Sequence, residues 1–202
     1  MKITIDHFIN EFSDSFPEMA HLQPWEVTDG LKIWLEKIIP TLADKYSIDN
    51  FVAIHPTALI EKGAVIKSPA IIGPDCLVCA NAYLREGVYL ERNVKVGPGC
   101  EIKSSIICSG TSVAHFNYLG NSIIGRNVNF EAGSIAANHY NERSSKEISV
   151  CFQTTIIQTK TEKFGSLVGD NSKIGANAVL SPGTLLEQGA IVGRLELIEQ
   201  IK

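Results

Sequence analysis

Two basic residues, Arg85 and Lys103, are the best candidates in this sequence for binding an anion. Arg85 and Lys103 lie 18 residues apart, and two cations held about 5 Å apart would repel each other by about 1–3 kcal/mol, depending on screening. A dianion between them would reverse that repulsion, so a phosphate monoester is a natural ligand. The alternative is a solvated face on which Glu86 and Glu101 lie beside the cations, and the spacing alone leaves both possibilities open.

A short polar run is the best candidate for catalysis. The segment AHFNYLG over residues 114–120 places His115, Asn117 and Tyr118 close together in the chain. A histidine changes its charge near neutral pH and can therefore act as a general base. Lone histidines are more often structural, but His115 has polar neighbours, so we take it as the candidate base.

The secondary-structure elements that must position these residues come from a sequence pattern that repeats every six residues. Every sixth residue from Ile54 to Ile102 is Ile, Leu or Val, and the fourth position after each is often small, as at Ala58 and Ala64. The frame slips by one residue before Ile107, slips again before Ile124, and then runs to Ala136. After a long interruption it restarts and continues at the following positions: Val168, Ile174, Leu180, Leu186 and Val192.

A period of six fits neither a helix nor a strand that alternates between two faces, and it is typical of hexapeptide β-helix repeats. We therefore predict an all-β, left-handed parallel β-helix with a small α-helical N-terminal cap. Three repeats make one 18-residue coil, so Arg85 and Lys103 should stack on adjacent coils, about 4.8 Å apart. A β-sandwich of short strands would show irregular spacing instead.

The repeat also divides the chain. Residues 1–50 carry apolar side chains at helical spacing and are predicted to cover one end of the β-helix, since bare strand edges aggregate. Residues 51–202 form the predicted β-helix, interrupted by an arm at about 139–165. Long interruptions in compact repeats often carry function or interfaces. We expect the arm to project and reach a neighbouring subunit, a mobile surface hairpin being the alternative.

Composition excludes several classes of function. The net charge is −4, so no basic field attracts nucleic acid or anionic lipid. No run reaches the ~18 consecutive apolar residues that a membrane span needs. Five cysteines without a secretory signal indicate reduced thiols and a cytoplasmic protein. The single Cys76-x-x-Cys79 pair has no second pair, so no metal site is predicted.

Long stretches of the chain resemble a known family. Residues 80–138 resemble the acetyltransferase domain of the bifunctional N-acetylglucosamine-1-phosphate uridyltransferase/glucosamine-1-phosphate N-acetyltransferase. The restart KFGSLVGDNSKIGANAVLSPG (163–183) is similar to the C-terminal domain of archaeal sugar-1-phosphate nucleotidylyltransferases. The elements shared with the acetyltransferase domain are LREG (84–87), EIKSS (101–105), AHFNYLGNSIIGRNVN (114–129) and AGSIAAN (132–138).

The resemblance implies a role for each matching position. His115 matches the catalytic base, which takes a proton from the glucosamine amine as that amine attacks acetyl-CoA. A homotrimer is implied as well, with the site in a groove between subunits and backbone N–H groups stabilising the oxyanion. The remaining matches are Arg85 and Lys103 on the sugar phosphate, Tyr118 and Asn129 on phosphate and sugar, and Asn138, His139, Ala176 and Arg194 on the acetyl-CoA side.

Departures from the family keep three functions open. His139 stands where the family has Tyr, Ala176 replaces a Ser, and Glu131 replaces a Gly. The chain ends without the last coil and tail that help to hold coenzyme A, and it has no Gly-rich nucleotide-binding loop, so no nucleotidyltransferase domain is expected in cis. The leading prediction is an acetyltransferase that acts on an amino-sugar phosphate such as glucosamine 1-phosphate. The alternatives are a non-catalytic trimer that binds sugar phosphates or nucleotide sugars, and an acyltransferase with another acceptor.

Overall fold

The computed structural model describes residues 2–201, most of which wind into a β-helix of about eight turns. Short parallel strands stack from coil to coil on three faces, which we number in chain order. Strands β7 (Tyr83–Leu90) and β9 (Glu101–Ile107) run around the corner between the third and first faces. The predicted fold, a left-handed parallel β-helix with an N-terminal helical segment, is confirmed.

The strands of each face have the following bounds. The first face contains β2 (Val52–Ile54), β5 (Ala70–Ile72), the second halves of β7 and β9, β12 (Ile123–Ile124), β17 (Ser166–Val168) and β20 (Thr184–Leu186). The second face contains β3 (Leu59–Ile60), β6 (Leu77–Val78), β8 (Lys95–Val96), β10 (Ser112–Val113), β13 (Asn129–Phe130), β18 (Lys173–Ile174) and β21 (Ile191–Val192). The third face contains β4 (Val65–Ile66), the first halves of β7 and β9, β11 (Tyr118–Gly120), β14 (Ile135–Ala136), β19 (Val179–Leu180) and β22 (Leu197–Ile198). Strand β1 (Ser47–Asp49) pairs antiparallel with β2.

The interior of the prism is the apolar frame predicted from the repeat. Its aliphatic positions from Ile72 to Val192 form one buried cluster, including both slipped segments, Ile107–Leu119 and Ile124–Ala136. Ile54 and its successors in the first coil are only partly buried. Burial of a full aliphatic side chain stabilises a fold by about 1.5–3 kcal/mol, so this internal stack is the main source of stability for the coils.

The N-terminal segment contains 3₁₀ helices η1 (Ile5–His7) and η2 (Ile39–Leu42) and α-helices α1 (Phe12–Ser15) and α2 (Pro24–Ile38). Helix α2 begins where Pro24 supplies a compatible φ and the Glu26 carboxylate accepts the Gln23 backbone N–H at 2.7 Å. Among the described residues, no helix is long and apolar enough to cross a membrane.

These helices lie along the first face of the β-helix, whereas β1, in the same predicted cover, pairs with β2 in the first coil. The cover of one end by residues 1–50 stays a prediction. Leu31 and Leu35 of α2 are fully buried in a cluster with the outward residues Ile71 and Ile106 of the first face. The segment reaches the later coils as well, where the Asp170 backbone N–H donates to the Phe8 carbonyl at 2.9 Å. An amphipathic helix needs an apolar partner surface, and the outward side chains of the first face supply one.

The interruption at 139–165 also folds onto its own chain. It forms an antiparallel hairpin of β15 (Ser149–Phe152) and β16 (Thr155–Gln158). Phe152 lies 5.8 Å from Phe8 between ring centroids, and Phe164 lies 6.0 Å from Trp25. The expectation of a projecting arm is therefore wrong, because these aromatic contacts join the hairpin to the N-terminal segment. A contact with a neighbouring subunit stays a prediction.

Candidate active site

A β-bulge at the corner between the third and first faces brings the two predicted cations together. Arg85 pairs in register with Lys103, and the register then shifts before Val88 pairs with Ser105. Glu86 (φ 59°) and Gly87 (φ 98°) form the bulge, which is where one coil holds one residue more than the next. Only glycine fits well at position 87, since its φ is positive and α2 approaches it closely.

Four charged side chains form a cluster at this corner, which we call the corner cluster: Arg85, Glu86, Glu101 and Lys103. Lys103 Nζ lies 3.1 Å from Glu86 Oε2, Arg85 Nη1 is paired with Glu86 Oε1, and Arg85 Nε donates to Glu101 Oε1 at 2.7 Å. The Lys103 side chain is only 9% exposed. The predicted stacking is confirmed, and the two carboxylates balance the two cations.

The ion pairs of the cluster shift the pKa values of two of its members, Glu86 and Arg85. Burial alone would raise the pKa of Glu86, but the hydrogen bond and charge of Lys103, with those of Arg85, outweigh it and hold that pKa below its ordinary value. Burial alone would lower the pKa of Arg85, but the hydrogen bond and charge of Glu101 reverse the shift and raise it. The corner therefore presents two basic side chains with one carboxylate, Glu86, bound between them.

A chain of polar side chains adjoins the corner cluster on the third face. Tyr118 donates its hydroxyl to Asn138 Oδ1 at 3.2 Å, and Asn138 Nδ2 donates to Asn121 Oδ1 at 2.7 Å. Gly120 leaves room for this arrangement, since a Cβ there would lie 2.5 Å from the Tyr118 hydroxyl. Burial, reinforced by the charge of Glu101, raises the pKa of Tyr118. Tyr118 is therefore a neutral phenol held in place at the edge of the cluster.

His115 lies at the corner between the second and third faces. Its side chain is exposed, and its backbone carbonyl accepts the Gly133 N–H at 2.8 Å. Lys103 pairs with Gly120, five residues after His115, so at most about 18 Å of extended chain separates His115 from the corner cluster. His115 and the cations thus lie at opposite edges of one face.

Asn117, between them in sequence, has a structural role. Its buried amide Nδ2 donates to the carbonyls of Glu131 and Ser134 and to the Ser134 hydroxyl, at 2.7–3.1 Å. With these hydrogen bonds it ties together two consecutive coils below His115. Asn117 is therefore not available to a ligand, unlike its neighbours His115 and Tyr118.

The second face carries a separate groove of about 480 Å³, which we call the second-face groove. Arg194 pairs with Glu131 through two hydrogen bonds of 2.9 and 3.1 Å, and the Ala176 N–H donates to Glu131 Oε2 at 2.9 Å. The hydrogen bond from Arg194, followed by that from Ala176, lowers the pKa of Glu131. The exposed Asn129 and Lys173 line the same groove.

The predicted site residues therefore fall into two groups within one chain. Arg85, Lys103, Tyr118 and Asn138 lie together at the third face, and the exposed His139 follows Asn138. Ala176, Asn129 and Arg194 belong to the second-face groove, and His115 lies at the corner between the two faces. Among residues 2–201, no group of three or more His, Cys, Asp and Glu side chains is arranged to hold a metal ion.

Sequence reasoning missed two features of the site. It treated Glu86 as a neighbouring charge and not as the group that bridges the cations, and it did not include Asn121. The slipped repeat indicates that a bulge forms near this point, but the sequence carries no signal that the bulge redirects the side chain of Glu86.

Comparison with known proteins matches two segments to models of hexapeptide repeats. The model of the bacterial transferase hexapeptide (six repeats) matches residues 69–104, and the model of the hexapeptide repeat of succinyl-transferase matches residues 167–193. The first segment contains the corner cluster, and the second contains part of the lining of the second-face groove, including Lys173 and Ile191. The chain is a hexapeptide-repeat protein. The resemblance inferred from the sequence is thereby confirmed.

Several curated relatives are similar to this hexapeptide-repeat protein over most of its length. The bifunctional protein GlmU of Methanococcus maripaludis is 36% identical over 195 residues, or 94% of this chain and 46% of the relative. The bifunctional sugar-1-phosphate nucleotidylyltransferase/acetyltransferase of Sulfurisphaera tokodaii is 30% identical over 184 residues, or 85% of this chain and 45% of the relative. The chain thus spans less than half the length of these relatives.

A solved structure supports the fold of this hexapeptide-repeat protein. The hexapeptide transferase family protein from Anaplasma phagocytophilum superimposes with a TM-score of 0.51 and 21% sequence identity. The match covers 69% of this chain and 72% of that one. At this identity the comparison shows a shared β-helix and carries no statement about substrates.

Proposed function

We propose that this protein is an acyltransferase that moves an acetyl group from acetyl-CoA to an amino-sugar phosphate such as glucosamine 1-phosphate. The observation that carries the proposal is the register pairing of Arg85 with Lys103 at one edge of the third face, which also holds Tyr118 and whose other edge is the His115 corner. Two basic side chains suit a phosphate monoester, and a histidine at the other edge of the same face suits an amine that must lose a proton. The similarity to bifunctional acetyltransferases supports the acetyl group.

The residues of this chain would divide the work as follows. The amine nitrogen attacks the thioester carbonyl, the new C–N bond forms, and the C–S bond to coenzyme A breaks. His115 takes the proton that the amine loses, and coenzyme A leaves as the thiolate. Arg85 and Lys103 hold the phosphate so that the amine stays within reach of His115, and backbone N–H groups stabilise the oxyanion.

A homotrimer would complete the site. The predicted acetyl-CoA residues are divided between the third face, with Asn138 and His139, and the second-face groove, with Ala176 and Arg194. A neighbouring subunit that packs against the His115 corner would bring such faces together across one groove. Light scattering should then give a mass of about 66 kDa, three times 22.0 kDa, and a mass of 22 kDa at micromolar concentration would remove the composite site.

The five free cysteines fit a reducing compartment, and we place the protein in the cytoplasm. Cys76, Cys100 and Cys108 are buried in the apolar interior. Burial raises the pKa of the Cys76 thiol to about 11, so this side chain is an inert part of the core.

A second function has its own supporting observation. The His115 imidazole makes no hydrogen bond within residues 2–201, whereas a catalytic histidine usually has an orienting partner. A trimer that binds sugar phosphates or nucleotide sugars without turnover would need only the cations and Tyr118.

A thiol-release assay with acetyl-CoA separates the two functions. Glucosamine 1-phosphate, glucosamine 6-phosphate and unphosphorylated glucosamine would be compared as acceptors. We expect coenzyme A release with a phosphorylated amino sugar and much slower release with glucosamine. Binding of a sugar phosphate without any release would establish the non-catalytic function, and release with only a nucleotide-linked amino sugar would identify another acceptor.

A further inference from the structure

The position between Arg85 and Lys103, where a phosphate is expected, is taken by a side chain of the protein. Glu86 contacts Lys103 Nζ through one carboxylate oxygen, at 3.1 Å, and the Arg85 guanidinium through the other. Its carboxylate thus makes the two contacts that a bound phosphate monoester would make. The proposed anion subsite is satisfied internally.

We propose that Glu86 is an internal occupant of the anion subsite, which a dianionic ligand must displace and which thereby selects phosphate esters over carboxylates. The inference rests on the proposed function, because it assumes that the corner cluster receives the ligand. A monoanion gains little by replacing Glu86, since it brings the two cations the same single negative charge that the Glu86 carboxylate already provides. A dianion adds a second charge between Arg85 and Lys103, so only the dianion gains from the exchange.

The structure gives Glu86 the freedom to leave. Its side chain is 54% exposed, and within the described residues its carboxylate contacts only the two cations, with no backbone N–H donor. The bulge itself stays fixed, because the Ser104 hydroxyl donates to the Glu86 carbonyl at 2.9 Å. The side chain can therefore rotate into solvent while the backbone keeps its place.

The second carboxylate of the cluster stays behind and keeps the subsite in shape. Glu101 accepts the Arg85 Nε–H at 2.7 Å, on a nitrogen that Glu86 does not use. Arg85 therefore keeps one partner when Glu86 leaves, and its other nitrogens turn to the ligand. After the exchange the dianion contacts Arg85 and Lys103, and the Glu86 carboxylate is hydrated.

The test is isothermal titration of wild-type protein and of Glu86→Gln with three ligands: sulfate, glucosamine 1-phosphate and glucosamine. Removing the competing charge should strengthen the binding of sulfate and glucosamine 1-phosphate roughly tenfold. The affinity for glucosamine, which has no phosphate, should not change. Glu36→Gln, which removes an exposed carboxylate of α2, is the matched control and should leave all three affinities as they are.

A second variant and a competition binding experiment exclude misfolding of Glu86→Gln as the cause of the result. Glu86→Ala should show the same gain for the two dianions, with an unchanged circular dichroism spectrum. On the wild-type protein, sulfate should compete with glucosamine 1-phosphate, whereas acetate at the same concentration should not.

Equal or weaker sulfate and sugar-phosphate binding by both folded Glu86 variants would overturn the proposal, as would competition by acetate. Weaker glucosamine binding by Glu86→Gln would overturn it too, by showing that Glu86 contacts the amine. The proposed function fails in a different way, when wild-type protein and Glu86→Gln both bind sugar phosphate and neither releases coenzyme A.

Discussion

The corner cluster and the second-face groove both pair arginine with glutamate, yet they differ in what holds the cations. The Lys103 side chain is 9% exposed, and β-sheet register stacks it on Arg85. The Arg194 side chain is 73% exposed and reaches Glu131 by its own length. Exposed ion pairs contribute little to stability, because water and salt screen them and the side chains lose freedom.

The comparison shows that backbone register, and not the arginine–glutamate ion pair itself, holds two cations side by side in a site. At the corner cluster, the positions of two charges are set before any ligand arrives, so a ligand does not have to order them. At the second-face groove, the exposed Arg194 side chain is held, within residues 2–201, only by its contact with Glu131, so a ligand that displaces this carboxylate also frees the arginine side chain. We therefore assign the sugar phosphate to the corner cluster and the less demanding contacts of acetyl-CoA to the groove.

The largest expected effect is that of replacing His115, which lies between the corner cluster and the second-face groove. His115→Asn should lower the rate of acetyl transfer by about 10²–10⁴, the usual contribution of general-base catalysis, while the Kd for sugar phosphate changes little. The rate is measured by coenzyme A release and the Kd by titration. His21→Asn, at an exposed position of the N-terminal segment, is the control. A changed Kd together with an unchanged rate would remove His115 from catalysis.

Loss of a corner cation should be the next largest effect. Lys103→Ala should weaken sugar-phosphate binding by about 1–3 kcal/mol, the range for charge-assisted hydrogen bonds that are partly buried. Lys95→Ala removes an exposed lysine of the second face and should leave the Kd unchanged. If the double variant Arg85→Ala, Lys103→Ala bound as tightly as wild type, the cations of the corner cluster would only face solvent.

Acid should weaken the corner cluster in a predictable direction. The folded-state pKa of Glu86 lies below its ordinary value of 4.5, so the stability from its ionised form is fully present above pH 4.5 and is lost as the pH falls through that lower pKa. Urea unfolding between pH 7 and pH 3 should therefore show a flatter acid limb for Glu86→Gln than for wild type. Parallel acid limbs would show that Glu86 is not stabilised by Lys103 and Arg85.

The smallest effect is expected in the second-face groove. Arg194→Ala removes only exposed contacts, so the urea midpoint at physiological salt and the Kd for sugar phosphate should both stay at their wild-type values. A raised KM for acetyl-CoA is compatible with the proposed function. A weakened sugar-phosphate Kd would mean that the two regions are not separate.

Much of the fold could be predicted because the β-helix repeats one simple rule. Each buried apolar residue of the frame, such as Val78 or Phe130, occupies the same place in its coil, so the period identified the core and stacked Arg85 on Lys103. The partner of the helical segment could not be predicted in this way. An apolar helix face indicates burial but not against which surface, and the aromatic contacts of Phe8 and Phe152 join distant segments without any periodic signal.

The sequence was sufficient to predict which residues lie close together at the site, but not which contacts their side chains make. The slip after Ile102 indicates that neighbouring coils differ by one residue, but not which side chain the resulting bulge redirects. The direction of the Glu86 side chain depends on the backbone φ of 59° at this residue. A glutamate in the sequence does not indicate that its backbone adopts this conformation. Glu131, noted only as a replacement of a family glycine, turned out to be the residue that Arg194 and Ala176 bind.

The central claim is that the corner cluster binds the phosphate of the acceptor, and a crystal structure of the protein with glucosamine 1-phosphate tests it most directly. We predict the phosphate within hydrogen-bonding distance of Lys103 Nζ and the Arg85 guanidinium, with the Glu86 carboxylate turned out to solvent and the sugar amine directed toward His115. A bound sugar phosphate elsewhere on the chain, with Glu86 still between Arg85 and Lys103, would contradict the account.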